Sequence, residues 1–535
     1  MITMESRKLA WLHFAILLLI LLAGTFFRLA VVSRATGIAQ SGYSSYMKCT
    51  LNFSSRYRTI RENEGSWRNG SELFDRLFVI HGKGADYSGL YRQLSISNHP
   101  PLYYLVLHTI TALTSNRQAS LGVGFAVNMV AFWCSVFLLY FLSSQILRSR
   151  VLRLFAVFLG SVGFLSMEAF VIHKGYALQT SLLLGILVLL FRHGERRTLR
   201  FYDYFLFGIL CCLAFLTHYY SYLYIAGICA IITLQCTLIA WNPGKLFRYG
   251  IAVAGAVIAA VLLYPPAVRD MLGNYRSREI VIRVSSPGTF LPVKFWEELR
   301  LIRQELLSPP YLLLGVSALV LVAIAFYRRK EFRPADLVPS RPYLILALYA
   351  AACFLIIMYI SPYNDLRYVS PLLPLYSILL AGLMESLNRK TQLKTVLLFT
   401  VVLVSYNVYG IAKVVQGRVP GSDLISAWRT ERTLSDFSSE GSLMVISGQF
   451  TKKMGALKER MGIISFHVPP RHVSFCFGSI PEELFLREGD ILALVDTNLP
   501  DREAREYDRI LISQGFKMAE TFRDFQVFRR NRDHQ

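Results

Sequence analysis

Asn98-His-Pro-Pro-Leu-Tyr-Tyr-Leu-Val-Leu-His108 decides how this chain is threaded. Two consecutive prolines lack amide donors and fix φ, so they suit a turn or the first turn of a helix and not its interior. Behind them an apolar helix starts with Tyr103 and Tyr104, rings of the kind that favour the water–lipid boundary. Segment 101–114 is short for a bilayer span, which takes about 20 apolar residues. Whether it crosses or lies in the interface fixes the side on which every later loop falls. A polar loop feeding such an elbow suits a site that takes one substrate from lipid and another from water. His99 and the prolines would serve equally well as caps of an interfacial helix.

The 535 residues are 54% hydrophobic and only 17% charged, with mean hydropathy +0.41. That balance excludes a soluble fold and points to a polytopic membrane protein. Apolar runs predict spans over 10–32, 119–147, 153–172, 176–191, 202–219, 222–240, 249–266, 310–327, 341–360, 367–386 and 394–412, about eleven in all. The first follows Arg7 and Lys8, is long, and carries no small-residue cleavage site before Arg34, so it reads as a retained anchor. Short loops hold Arg148/Arg150/Arg153, Arg192/Arg196/Arg197/Arg200, Lys245/Arg248, Arg328/Arg329/Lys330/Arg333 and Arg389/Lys390/Lys394. If 101–114 lies in the interface, all these clusters share the N-terminal side, as the positive-inside rule requires. The expectation is an inner (plasma) membrane protein with a cytoplasmic N-terminus, or an endoplasmic reticulum protein in a eukaryote. About half of the +22 net charge is then topogenic, which removes the nucleic-acid reading such a charge would carry in a soluble protein.

Regions 33–118 and 267–309 then face outward, as does everything after 412. The first carries Glu62, Glu64, Glu72, Asp75 and Asp86 and the sequons Asn52-Phe-Ser and Asn69-Gly-Ser. In the second, Phe295, Leu299, Ile302 and Leu306 share one face of a helix that suits the membrane surface. After 412 the pattern changes. Ser442–Ser447, Val473–Phe477, Asp490–Asp496 and Phe522–Arg529 read as short strands, with a helix over Asp501–Gln514. The expected architecture is therefore a transmembrane domain over 1–412 and a small extracytoplasmic α/β domain over 413–535. The tail has no GxGxxG or P-loop, and the chain has no CxxC pair, GxSxG elbow or HExxH. A disulfide between Cys49 and Cys476 is not favoured.

Four stretches resemble the GT-C-fold glycosyltransferases that use polyprenyl-phosphate sugars, the group of protein O-mannosyltransferases and aminoarabinose transferases. His99-Pro-Pro-Leu-Tyr-Tyr104 is similar to that family's HPPLYY-type stretch. Glu168-Ala-Phe-Val-Ile-His-Lys-Gly-Tyr-Ala-Leu178 resembles its Ala-Arg-x-Tyr-Ala-Leu segment, with Lys174 in place of Arg. Leu216-Thr-His-Tyr-Tyr-Ser221 and Asp365-Leu-Arg-Tyr-Val-Ser-Pro-Leu-Leu-Pro374 follow in the family's order. The resemblance implies transfer of a sugar from a polyprenyl-phosphate donor to an extracytoplasmic lipid, polysaccharide or protein. It also implies a carboxylate base in the first external loop. The family's Asp-Glu pair is incomplete here: 35–46 holds no acid, and Asn63-Glu64 is the nearest equivalent. A non-catalytic scaffold of envelope assembly and a transporter stay open as alternatives.

Sugar transfer from a lipid phosphate needs a base within hydrogen-bond reach of the acceptor hydroxyl. It also needs preplaced cations and donors for the departing phosphate. Glu64 is the first candidate base, followed by Glu62 and Asp86. His99, Lys174, Tyr176, His218, Tyr219, Arg367 and Tyr368 are the candidate substrate-binding residues; Lys174 and Arg367 sit at outward span ends, where a lipid phosphate lies. No His/Asp/Glu cluster has metal-ligand spacing, so no cofactor is expected, with a divalent metal left open.

Overall fold

The computed structural model describes residues 4–34, 41–52, 54, 65–81, 84–97, 99–162, 173–195, 199–239, 241–272, 340–360, 366–386, 394, 396–398, 401, 405, 442–447, 472–477, 480–486, 491–496, 501–521 and 525–530. The expected spans over 310–327 and most of 394–412 lie outside these residues, as does the amphipathic helix around Phe295–Leu306.

The described chain is mostly helical. Four helices are long and apolar enough to cross a membrane: Trp11–Ala30, Gly122–Ile146, Tyr176–Gly194 and Pro243–Leu263. They belong to α1 (Met4–Arg34), α6 (Leu121–Ile146), α8 (Tyr176–Glu195) and α11 (Pro243–Leu263). Before α6 come α2 (Ser41–Cys49), α3 (Gly70–Phe78), α4 (Tyr87–Ile96) and α5 (Leu102–Leu113). Arg150–Val162 is α7, Phe201–Phe215 is α9 and Ser221–Leu234 is α10. Further on lie α12 (Pro266–Leu272), α13 (Arg341–Ile360) and α14 (Leu373–Leu383). The α8 span is 72% buried and the α11 span only 17%, so α8 is the axis of the bundle and α11 lies at its lipid-facing rim. Outward apolar side chains such as Phe14, Leu19 and Leu22 on α1 and Ile258 and Leu262 on α11 are what a bilayer, not water, stabilises.

Two features fix one end of the bundle. At 1.5 Å per residue α5 is about 18 Å long, short of the roughly 30 Å hydrocarbon layer. It buries Tyr103, Tyr104, Leu107, His108 and Thr111, one continuous helical face. Near the C-terminal end of α1, Arg28 is fully buried, its guanidinium donating to the Ser161 carbonyl at 2.6 Å and lying 3.5 Å over the Phe132 ring. A charge that deep requires such partners, and it ties α1 to α7 and α6.

Helix α2 has no periodic apolar pattern, yet Ser45, Tyr46, Met47, Lys48, Cys49 and Thr50 are all buried. It ends in a Schellman turn: Leu51 takes φ 68°, with Asn52 N bonded to Met47 O and Leu51 N to Lys48 O. Thr50 Oγ1 and Asn52 Nδ2 then donate to Leu77 O and Val79 O. His108 Nδ1 donates to Cys49 O at 2.6 Å, while its Nε2 accepts from the Asp86 amide at 3.0 Å. That pair of bonds fixes the tautomer and stitches α5 to α2 and to the start of α4.

Strands β1 (Arg68–Asn69), β2 (Ser442–Ser447), β3 (His472–Phe477), β4 (Ile491–Asp496), β5 (Lys517–Thr521) and β6 (Phe525–Arg530) form one sheet in the order β1-β3-β2-β4-β6-β5. β2 runs parallel to both β3 and β4, and the outer pairings are antiparallel. Met444, Ile446, Ala493, Val495 and Phe528 pack with Tyr507 and Leu511 of α15 (Asp501–Ser513). Leu443, Leu492, Leu494 and Val527 on the other face join the buried cluster that continues through the helices. Burial on both faces explains why β2 and β4 read as unbroken apolar runs. The edge strand β1 comes from the segment between α2 and α3. Its neighbour Trp67 packs against the α15-side cluster, with Nε1 donating to Leu484 O at 3.3 Å.

Candidate functional site

The four stretches singled out in the sequence meet at the N-terminal end of α8. The elbow is bonded to the Thr217 turn through Leu102 N and Leu216 O at 2.8 Å. Gly175 makes the meeting possible: a Cβ there would stand 2.9 Å from Thr217 Cγ2, 3.1 Å from Thr217 O and 3.5 Å from Tyr103 Cβ. The last stretch arrives as a 3-10 turn, Leu366–Leu372, held by Tyr224 Oη donating to Tyr368 O at 2.7 Å.

Tyr176, His218 and Tyr368 share one aromatic cluster. Ring centroids lie 5.0 Å apart for Tyr176 and His218, 6.3 Å for Tyr176 and Tyr368, and 6.4 Å for His218 and Tyr368. Tyr220 completes it, stacked on His218 at 5.5 Å and 4.8 Å from Tyr368. Tyr219 points elsewhere. Its hydroxyl donates to Asp270 Oδ2 at 2.8 Å, and Asp270 is also paired with Arg269 at 3.1 Å. Tyr220 is thus the member of the Tyr219-Tyr220 pair that joins the aromatic cluster.

His99 stands half-buried, with Lys48 Nζ donating to its Nδ1 at 3.2 Å. That bond leaves the ring proton on Nε2. Lys48 is almost completely buried, and its ammonium lies 5.0 Å over the Tyr104 ring. A buried ammonium beside an imidazole N–H and an aromatic face is a place where an anion is favoured.

Lys174 is half-buried between two fixed residues. On one side, His173 is bonded through Nδ1 to the Tyr46 hydroxyl and lies edge-on to Phe125 at 4.4 Å. Burial alone pulls the His173 imidazole down to about 3, so it stays neutral. On the other side, Gly175 is wedged against Thr217. The backbone carrying Lys174 has little freedom.

Asp86 is an exposed helix cap. Its Oδ1 accepts from Gly89 N at 2.8 Å and from Ser88 Oγ at 2.9 Å. The Gly89 amide first, then the Ser88 hydroxyl, hold the carboxyl below its ordinary value, the wrong direction for a proton acceptor. Glu62 and Glu64 lie outside the described residues. Arg367 falls in the 3-10 turn next to Tyr368, and its side chain is outside them too. Both sequons are structurally engaged: Asn52 as above, and Asn69 as the cap of α3. Cys49 and Cys476 are both buried and neither is in a disulfide. Among the described residues, no three His, Cys, Asp or Glu side chains are grouped to hold a metal.

Tyr46, Lys48 and Asp270 escaped the sequence reading. Lys48 and Tyr46 lie on a helix without amphipathic period, and Asp270 sits among ordinary loop charges. The neighbouring Arg269, placed to compensate an acid near the bilayer, was the only available signal.

No protein-family profile matches the chain, and no curated protein does. Its structure is similar to that of ArnT from Cupriavidus metallidurans bound to undecaprenyl phosphate, with 11% identity, 98% of each chain covered and a TM-score of 0.47. It is also similar to the Archaeoglobus fulgidus oligosaccharyltransferase tethered with an acceptor peptide, with 13% identity, 87% of this chain and 64% of that one covered, and a TM-score of 0.45. For the oligosaccharyltransferase AglB of the same organism, in complex with an inhibitory peptide and a dolichol-phosphate, the figures are 11%, 90%, 69% and 0.42. None of these scores reaches 0.5, and no residue role is carried over from those proteins.

Proposed function

We propose that this protein is a membrane glycosyltransferase that moves a sugar from a polyprenyl-phosphate donor to an acceptor outside the cytoplasm. The observation that carries the proposal is the buried Lys48 ammonium against His99, at the end of the bundle where three other separated stretches converge. The donor phosphate lies against Lys48, the His99 Nε2–H and Lys174, with Arg367 as a further cation. Tyr176, His218, Tyr220 and Tyr368 form an aromatic wall suited to a sugar face and the first isoprene units. Glu64 takes the proton of the acceptor hydroxyl as the acceptor oxygen bonds to the anomeric carbon. The bond from that carbon to the phosphate oxygen breaks, and polyprenyl phosphate leaves into its cationic cradle. The N-terminus is cytoplasmic, 1–412 forms the transmembrane domain, and 413–535 faces outward with the site.

The test uses purified protein in lipid nanodiscs with a panel of radiolabelled polyprenyl-phosphate sugars and crude envelope acceptors. Wild type is expected to transfer label, and Lys48→Met to lose about 100-fold or more, as removal of one preplaced charge stabiliser costs in other enzymes. Thermal stability should hold, since Met nearly matches the buried stem in volume. Absence of transfer with every donor, or full transfer by Lys48→Met, sinks the reading. Sugar-independent lipid flux would favour a transporter.

A further inference from the structure

A cavity of about 650 Å³ lies between α9 and α11, running from Arg248 to Leu216 at the margin of the candidate site. The two helices run in parallel, Tyr204 level with Arg248 and Gly208 level with Ala252. At Gly208 the backbones nearly touch, since a Cβ there would stand 3.1 Å from the Ala252 carbonyl oxygen. Around that crossing the helices leave a slot lined by Phe205, Ile209 and Leu213 on one side and Ile251, Gly255 and Leu263 on the other. From Arg248 to Leu263 it extends about 22 Å, more than the roughly 15 Å of one leaflet.

Among the described residues of the lining, Arg248 is the one that carries a charge. Its guanidinium lies 6.0 Å from the Tyr204 ring centroid, at the helix ends that also carry Arg200 and Lys245. Lys245 is already committed to the His193 carbonyl at 2.8 Å. An apolar slot one acyl chain long, capped by a guanidinium whose flat fork matches a phosphate, has the form of an anionic lipid site. The donor fits it poorly, because its phosphate belongs at the opposite end, beyond Phe215, where His218 lies.

We infer that the groove between α9 and α11 binds an anionic phospholipid, with an acyl chain in the slot and the phosphate on Arg248. The site is independent of the transfer reaction. The test is native mass spectrometry of protein released from mixed phosphatidylglycerol and phosphatidylcholine micelles. Wild type should retain phosphatidylglycerol over phosphatidylcholine by about fivefold, the equivalent of one Arg at a headgroup. Arg248→Gln should bring the ratio close to one. Gly255→Phe should expel both lipids by filling the slot. A Cβ at Gly255 meets nothing within 4 Å, so this variant should fold and melt as wild type does. Equal retention of the two lipids by wild type overturns the inference, as does an unchanged ratio in Arg248→Gln or undiminished lipid in Gly255→Phe. Displacement of phosphatidylglycerol by polyprenyl phosphate would also overturn it, by giving the slot to the donor.

Discussion

Gly124→Ala adds a single methyl group and should be among the most damaging small changes outside the lipid-facing surface. Its Cβ would stand 2.9 Å from His173 Nδ1 and 3.0 Å from His173 Cγ, in contact with the Tyr46 hydroxyl. Both side chains are fully buried, so neither has space to retreat into. Overpacking of this kind costs about 1–3 kcal/mol, and parting Tyr46 from His173 adds about 0.5–1.5. Against that stands the better helix propensity of alanine, about 1 kcal/mol at most and less in a first turn. Steric cost wins, leaving a net loss of roughly 1–3 kcal/mol. Thermal unfolding in detergent, followed by tryptophan fluorescence, should show a midpoint about 2–12 °C lower, given about 2–4 °C per kcal/mol for a mid-sized unit. The decisive measurement is the double-mutant cycle with Tyr46→Phe. That change removes the hydroxyl in the way of the methyl, so the two losses should fall short of additive by about 1 kcal/mol. Additivity within roughly 0.5 kcal/mol, or a stabilised Gly124→Ala, refutes the reasoning.

Acid should weaken the same contact. His173 sits near 3 when folded and at the ordinary 6.5 when not, so the unfolded chain binds the extra proton. Stability is complete above 6.5 and falls by about 1.4 kcal/mol per pH unit below it; His173→Gln should flatten the melting curve between pH 6.5 and 4, and an unchanged slope would count against a buried neutral imidazole. Asp86→Asn keeps a capping oxygen and should leave transfer intact, whereas Asp86→Ala should lower the melting midpoint; lost transfer in Asp86→Asn would return this residue to the candidate bases. Trp67→Ala removes the plug between the segment before α3 and the sheet and should cost about 2–3 kcal/mol locally. Limited proteolysis should then cut 442–530 at least about tenfold faster, and an unchanged rate would mean that β1 alone holds the loop.

What the sequence disclosed is what local pattern encodes. Apolar length located the helices around 10–32, 119–147 and 176–191, and short unbroken apolar runs placed strands over Ser442–Ser447 and Asp490–Asp496, within a residue of β2 and β4. β1 and β5 escaped because a two-residue strand has no pattern and Lys517-Met-Ala-Glu-Thr521 has little strand propensity. Asp86 illustrates an ambiguity that sequence alone carries: an acid before a helix, with Ser and Gly following, fits a cap as well as a base. Tyr219 and Tyr220 show another, since adjacent tyrosines at the end of a helix differ only in which neighbour each meets. Lys48 was illegible because its burial comes from α5 and the elbow folding over it, and nothing within ten residues of it in sequence announces that cover.

The positions that assemble the site are mostly not the ones with obvious chemistry. Lys174 is held because His173 is tied to Tyr46 on one side and Gly175 is pressed on Thr217 on the other, and each contact depends on a residue lacking a side chain, Gly124 or Gly175. An error of about 1 Å in the placement of a charge that stabilises a leaving phosphate costs on the order of 100-fold in rate. A lysine side chain is too flexible to correct that by itself, so precision has to come from the backbone. The same reasoning explains why α2, a helix with no amphipathic period of its own, is buried so completely. It delivers Lys48 to His99 from one face and Tyr46 to His173 from the opposite face of the same turn, so a single rigid element sets the positions of both cationic arms relative to the elbow.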